Sequence, residues 1–298
     1  MHSPKFLLLP ALLLSPVLLA QAPGAPQGAS RPQDENPVWA ETFDEAVQRA
    51  RKLPEGRVFV ELRTVDCPEC DRMGKLIYPS ASFRAFMRDK VPVLLDRGTS
   101  EGQRLFDRFG LRRVPAWLVL TPDLLLSGRY EGSSSQAAWM EAFVTSEQAW
   151  AVFLHKLDAE KKAPADPAAV FAVAEEAFRR GGDAMARERF ERLAADGKAP
   201  AELRDRSLAY LAAIALEGKR FDDAEKALKQ ILATTRNPAL AEQADLRLAD
   251  VEIGRGERQK ASAHLKNFLQ THPKSPMRKD VEALLEALDG FRPARSPE

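Results

Sequence analysis

Residues 57–73 read "RVFVELRTVDCPECDRM", and the way this stretch folds decides the rest of the chain. "RVFVELR" has the β-branched and aromatic content of a short strand. It runs straight into Cys67-Pro68-Glu69-Cys70, which holds both cysteines of the chain. Met73, Leu76 and Ile77 then recur at helical spacing, so a helix is expected to begin around Cys67. Three chemistries compete for such a pair. A structural zinc needs four ligands, and none of His2, His155, His264 and His272 lies near the pair in sequence. Two thiolates suit Cu(I), but nothing else in the chain supports copper delivery. A passive crosslink over so tight a loop constrains little of the unfolded chain. A working dithiol has a mechanism behind it. The first sulfur sits at unpaired backbone N–H groups and the positive end of a helix, which favour a thiolate. The second, one turn deeper, can resolve a mixed disulfide.

Working outward, the flanking segments alternate. "ETFDEAVQRARKL" places Thr42 three residues before Glu45, a capping box, with Phe43, Ala46, Val47, Ala50 and Leu53 on one helical face. A second helical piece starts near Ser82. "VPVLLD" (91–96) reads as a buried strand, and "SEGQRLFDRFG" (100–110) as a helix closed by Gly110. "AWLVL" (116–120) and "LLLSGRYE" (124–131) read as strands joined through Thr121-Pro122-Asp123. Ser135 opens a helix with Trp139, Met140 and Phe143. This order implies a mixed α/β sandwich.

The resemblance that follows is to the thioredoxin fold, and more narrowly to exported thioredoxin-like proteins, over residues 38 to 146. Four features carry it: the strand "VFVEL" before "DCPEC", Glu61 six residues before Cys67, "FGLRRVPAWLVL", and "GRYEG" ending at Gly132. The resemblance implies that Cys67 is the nucleophile and Cys70 the resolving thiol. It implies that Glu61 is a buried acid that moves a proton to or from Cys70. It also makes Pro115 a cis proline facing the dithiol, with Val114 and Pro115 offering backbone groups to an extended substrate strand. Pro68 and Glu69, between the cysteines, complete the surface a substrate would meet. No cofactor beyond the Cys67–Cys70 pair is implied, and no metal. This sequence departs from the family in carrying Asp66 before the first cysteine and Pro68-Glu69 between the two. Asp66, Glu69 and Asp71 are expected to make Cys67 less acidic, partly offset by Arg63 and Arg72.

Beyond 146 no strand is expected, and "KKAPADP" (161–167) reads as a hinge. From Val170 the sequence repeats with a spacing of 37 or 38 residues: Ala174, Ala212 and Ala249 coincide, as do Ala186, Ala224 and Ala261, and Phe190, Leu228 and Leu265. Small residues at fixed places let paired helices approach closely. The pattern resembles the tetratricopeptide repeat, whose usual period is ~34 residues. The expected fold is therefore a thioredoxin-like α/β sandwich followed by an all-α helical-repeat region. The first helix of each unit, with Phe171, Tyr210 and Arg247, is expected to line a concave groove.

The N-terminus adds an address. Lys5 precedes an apolar run from Phe6 to Leu19 that Pro10 and Pro16 interrupt, with Ala20 at its end. It is shorter than the ~20 residues of a spanning helix and reads as a secretory signal peptide. The expected organisation is a signal peptide at 1–20, a Pro/Gly-rich disordered linker at 21–37, the sandwich at 38–146, a helical linker at 147–166, repeats at 167–290 and a disordered tail at 291–298. The 298 residues carry a net charge of only +1, which argues against nucleic acid or an anionic membrane surface as the main partner. Two functional classes follow. One is an exported, periplasmic or extracellular thiol–disulfide oxidoreductase acting on protein disulfides or thiols, with a protein client or partner on the repeats and no stable membrane insertion. The other is a non-catalytic envelope scaffold in which CPEC is structural or vestigial.

Overall fold

A computed structural model describes residues 36–290. The expected signal peptide, nearly all of the expected linker and the expected tail lie outside the described residues. Among those described, no helix is long and apolar enough to cross a membrane.

The strand expected over 57–63 is β1 (Arg57–Arg63), an interior strand of a four-stranded mixed sheet. Its partners are β2 (Lys90–Asp96), parallel to it, and β3 (Ala116–Leu120), antiparallel; β4 (Leu126–Glu131) pairs antiparallel with β3. The order across the sheet is β2-β1-β3-β4. Both faces of β1 are covered, which is why its sequence is almost continuously apolar. Val58, Val60 and Leu62 pack against α1 (Phe43–Ala50) and α4 (Ser100–Arg108). Phe59, with Trp117 and Val119 of β3, packs against α2 (Pro68–Ile77), α3 (Ala81–Phe86) and the start of α5 (Gln136–Lys162) through Met73, Ile77, Phe83, Trp139 and Phe143. This is the expected thioredoxin-like sandwich.

Helix starts follow local chemistry. Thr42, Ser80, Thr99 and Ser135 each accept the backbone N–H three residues on. The capping box at Thr42 is modified: the Glu45 carboxylate accepts from the N–H of Glu41 at 2.8 Å.

The remaining helices form consecutive antiparallel pairs: α6 (Pro167–Arg179) with α7 (Asp183–Ala195), α8 (Ala201–Glu217) with α9 (Phe221–Thr234), and α10 (Pro238–Gly254) with α11 (Arg258–Thr271). A last helix, α12 (Arg278–Gly290), covers the end through Val281 and Leu285. All nine repeated positions noted in the sequence are buried between helices. The turns repeat as well. Gly181, Lys219 and Gly256 occupy equivalent places, each with a positive φ, of 73°, 54° and 79°. The next N–H in each turn returns to the carbonyl five residues back, at Ala177, Ala215 and Glu252. That is one helix-ending motif used three times.

The two halves are joined by packing. α5 is one unbroken helix, so the expected boundary at 146 falls within it. Trp139 and Phe143 serve the sheet, whereas Phe153 belongs to the helical core. Leu125, from the β3–β4 turn, inserts into that same helical core beside Phe171 and Phe190. Arg180 holds the outer edge of β4: its carbonyl accepts from Leu126 N at 2.9 Å, and its guanidinium donates to the carbonyls of Leu126 and Ala149.

Lys219 is the one non-glycine of the three left-handed turn positions. Replacing it by glycine, Lys219→Gly, removes a Cβ–carbonyl conflict of about 1–2 kcal/mol, offset in part by greater freedom of the unfolded chain. A net gain of about 0.5–1 kcal/mol in urea unfolding is expected. A loss of stability would show that this turn is not strained.

Candidate functional site

Cys67 is the N-cap of α2, and Pro68 takes the first helical position, where its missing N–H costs nothing. The Cys67 sulfur accepts the N–H of Cys70 at 3.2 Å. The two cysteines form a disulfide, with Cα atoms 5.2 Å apart. Their exposure differs: Cys67 is 7% exposed and Cys70 is fully covered. Around Cys67 the surface consists of exposed Asp66, Pro68 and Glu69, with Val65 74% exposed. An incoming sulfur can reach only Cys67.

Charge at this end of α2 is arranged in pairs. Arg63 binds Asp71 at 2.5 Å and Arg72 binds Glu69 at 2.8 Å. The Arg72 hydrogen bond holds the Glu69 carboxyl below its usual range. The partial offset expected from Arg63 and Arg72 is made by one pair each, and of the three acids only Asp66 has no ion-pair partner among the described residues. Across the site, the exposed side chains of Arg112 and Arg113 have no ion pair or hydrogen bond among the described residues, although Arg112 N–H donates to Glu131.

The Val114–Pro115 peptide is cis, and Pro115 is buried. Pairing of Leu62 with Ala116 puts Pro115 at the end of the sheet from which the chain leaves β1 toward Cys67. Further contacts close the same end. Pro115 O accepts Gly132 N–H at 2.7 Å, and the next residue, Ser133, donates its hydroxyl to the Glu69 carboxylate at 3.3 Å. Val114 N–H and C=O have no hydrogen-bond partner among the described residues. Glu69, Pro115 and Val114 are thereby gathered at the dithiol end, with Pro68 beside them.

Glu61 is 1% exposed, on the same sheet face as Phe59. Its Oε2 accepts from the Tyr78 hydroxyl, which in turn accepts from Trp117 Nε1 at 3.2 Å. Its Oε1 has no partner among the described residues. Burial pushes the Glu61 carboxyl up, against the opposing pull of the Tyr78 hydrogen bond and Arg63. Burial and the neighbouring Glu61 charge push the Tyr78 hydroxyl up as well. Sequence reasoning missed Tyr78. Its signal is faint: Cys70, Gly74 and Tyr78 fall four residues apart on one face of α2. A Cβ on Gly74 would come within 3.1 Å of the Tyr78 ring, so the glycine leaves that ring room.

Among the described residues no group of three His, Cys, Asp or Glu side chains could hold a metal. In the helical half, a groove of 510 Å³ is lined by Phe178, Tyr210, Leu216, Leu240, Gln243 and Arg247. Tyr210 and Arg247 stand where expected. Phe171 does not, because it is buried against Phe190 with the Arg206 guanidinium over its ring, and Phe178 lines the groove instead.

No family model matches this sequence, and no curated protein compared with it does. Two solved structures resemble part of the chain. The DsbH oxidoreductase is 17% identical, with a TM-score of 0.33, covering 42% of this chain and 94% of its own. A thioredoxin from Thermus thermophilus is 22% identical, with a TM-score of 0.33, covering 37% of this chain and 87% of its own. Likeness at this level carries no statement about activity, and the fold rests on the strand order and register above.

The raised Glu61 carboxyl has a consequence for stability. The folded state holds its proton more tightly than the unfolded chain, whose value is 4.5. Its contribution is therefore fully present below that value and is lost as pH rises through the folded value. Urea midpoints of wild type and Glu61→Gln are expected to shift relative to each other with pH, wild type losing ground as pH rises from 4.5 through the raised folded value. A constant difference would place Glu61 at its ordinary carboxyl value.

Proposed function

We propose that this chain is an exported thiol–disulfide oxidoreductase acting on protein disulfides through Cys67 and Cys70. The observation that carries the reading is the asymmetry of the pair: one sulfur at a helix N-terminus and accessible, the other one turn deeper and covered. In the reducing direction, the Cys67 thiolate attacks a client sulfur, breaks the client S–S bond and forms a mixed disulfide. Cys70, deprotonated, then attacks the Cys67 sulfur, and the second client thiolate leaves. Two electrons pass to the client, and the Cys67–Cys70 bond that forms must be reopened by a dithiol donor. Helix N–H groups stabilise the Cys67 thiolate. Glu61 takes the Cys70 proton. Val114, with its free N–H and C=O, and cis Pro115 receive the extended client strand by β-addition. The leader-like N-terminus supports an exported, oxidising location.

The helical hairpins fit tetratricopeptide-like repeats that dock a client or partner in the groove at Tyr210 and Arg247. They are packed against the sheet, so docking there would present a client at a set orientation to the dithiol.

Insulin reduction by the full chain is expected to fall to background in Cys67→Ser. Cys70→Ser is expected to accumulate a mixed disulfide through Cys67, visible on non-reducing gels. No activity in wild type would favour the scaffold reading. Arg247→Glu is expected to slow turnover of a docked protein client and leave a small-molecule disulfide unaffected; equal loss on both would remove the groove from the reaction.

A further inference from the structure

Glu61 and Tyr78 meet between β1 and the C-terminal end of α2, the helix that opens at the dithiol, in an arrangement more specific than a buried acid needs. The Tyr78 hydroxyl has one proton to give. Trp117 can only donate, and its indole N–H points at the Tyr78 oxygen at 3.2 Å. The Tyr78 proton is thereby directed to the one acceptor in reach, Glu61 Oε2. Three elements hold the chain in place. β1 carries Glu61, β3 carries Trp117 directly opposite it in the register, and Tyr78 is the C-cap of α2. The Tyr78 ring is itself fixed by Trp39 and Phe83, with ring centroids 5.3 and 4.9 Å away. The other carboxylate oxygen, Oε1, is buried without a partner among the described residues.

From this geometry we infer that Tyr78 is a positioning residue: oriented by Trp117, it reserves Oε2 of Glu61 as a permanent acceptor, so that Oε1 is the oxygen that takes and releases the proton of Cys70. The inference rests on the oxidoreductase reading above. When Cys70 attacks the Cys67 sulfur of the mixed disulfide, its S–H bond breaks and the proton goes to Oε1. The Cys67–client bond breaks as Cys67–Cys70 forms, and the client sulfur leaves with the electron pair. The proton on Oε1 later returns to solvent. Losing Tyr78 leaves the carboxylate without its hydrogen-bond donor among the described residues, so the charged form is disfavoured. The other charged groups facing Glu61 are Arg63 on its own strand and Asp71 on α2. Its sheet partners, Leu94 of β2 and Trp117 of β3, do not titrate.

The test uses the full chain in its oxidised form, with carbon-13 at the glutamate carboxyls and Glu61→Gln to assign the Glu61 signal. Tyr78→Phe is expected to raise the Glu61 titration midpoint by roughly one to two pH units, the worth of one hydrogen bond to a charged group. Single-turnover reduction of a client disulfide should move its pH profile upward by the same amount, while alkylation of Cys67 is unchanged. Replacing tyrosine throughout by 3-fluorotyrosine, which makes the hydroxyl a stronger donor at nearly constant volume, should move the midpoint down, and this serves if Tyr78→Phe does not fold. An unmoved midpoint overturns the inference, and so does a midpoint that moves without the rate profile. A wild type that reduces no disulfide would instead sink the oxidoreductase reading, and the proton's destination with it.

Discussion

The register between β1 and β3 is the constraint on which the site depends. Leu62 opposite Ala116 sets Pro115 at the end where the chain turns into Cys67, and Glu61 opposite Trp117 sets the acid beside the indole that orients Tyr78. One set of backbone hydrogen bonds therefore places both the upper and the lower parts of the site. A slip of one residue would turn Glu61 into the core formed with α1 and α4, and Val60 and Leu62 toward α2. The apolar identity of every other residue from Val58 to Leu62 resists that slip, because both faces are buried and only Glu61 needs a polar partner.

What could be read from the sequence was what local chemistry determines. The cysteine spacing, the strand at 116–120 and the caps at Thr42 and Ser135 each depend on a few neighbouring residues, and the structure has them where expected. Tyr78 was missed because its role arises from three elements meeting, and no residue within its own turn announces it. The offset by Arg63 and Arg72 was legible, though which acid each one meets depends on how β1 and α2 face each other. The boundary at 146 followed a change of composition, and the helical linker expected after it is the continuation of α5 through that position. Phe171 was assigned to the groove from its place on a first helix. Which face of that helix is inward depends on Phe190 and Tyr210, which the repeat pattern alone does not settle.

Burial and charge work together at the dithiol. The Cys70 sulfur and the Glu61 carboxylate are both covered, while the ion pairs at Asp71 and Glu69 match two of the three acids at the entrance. The exposed side chain of Arg113 lies beside Gly132, next to the Ser133 that reaches Glu69.

The first hairpin of the helical half is bound to the sheet through Leu125 and Arg180, whereas each later hairpin leans on its predecessor and joins its two helices through the same turn. Evolution can therefore lengthen or shorten this array at its distal end without disturbing the surroundings of the disulfide, which makes reach a separately heritable trait. Deleting the proximal pair would instead strip the β4 border bare, leaving an adhesive margin open to self-association.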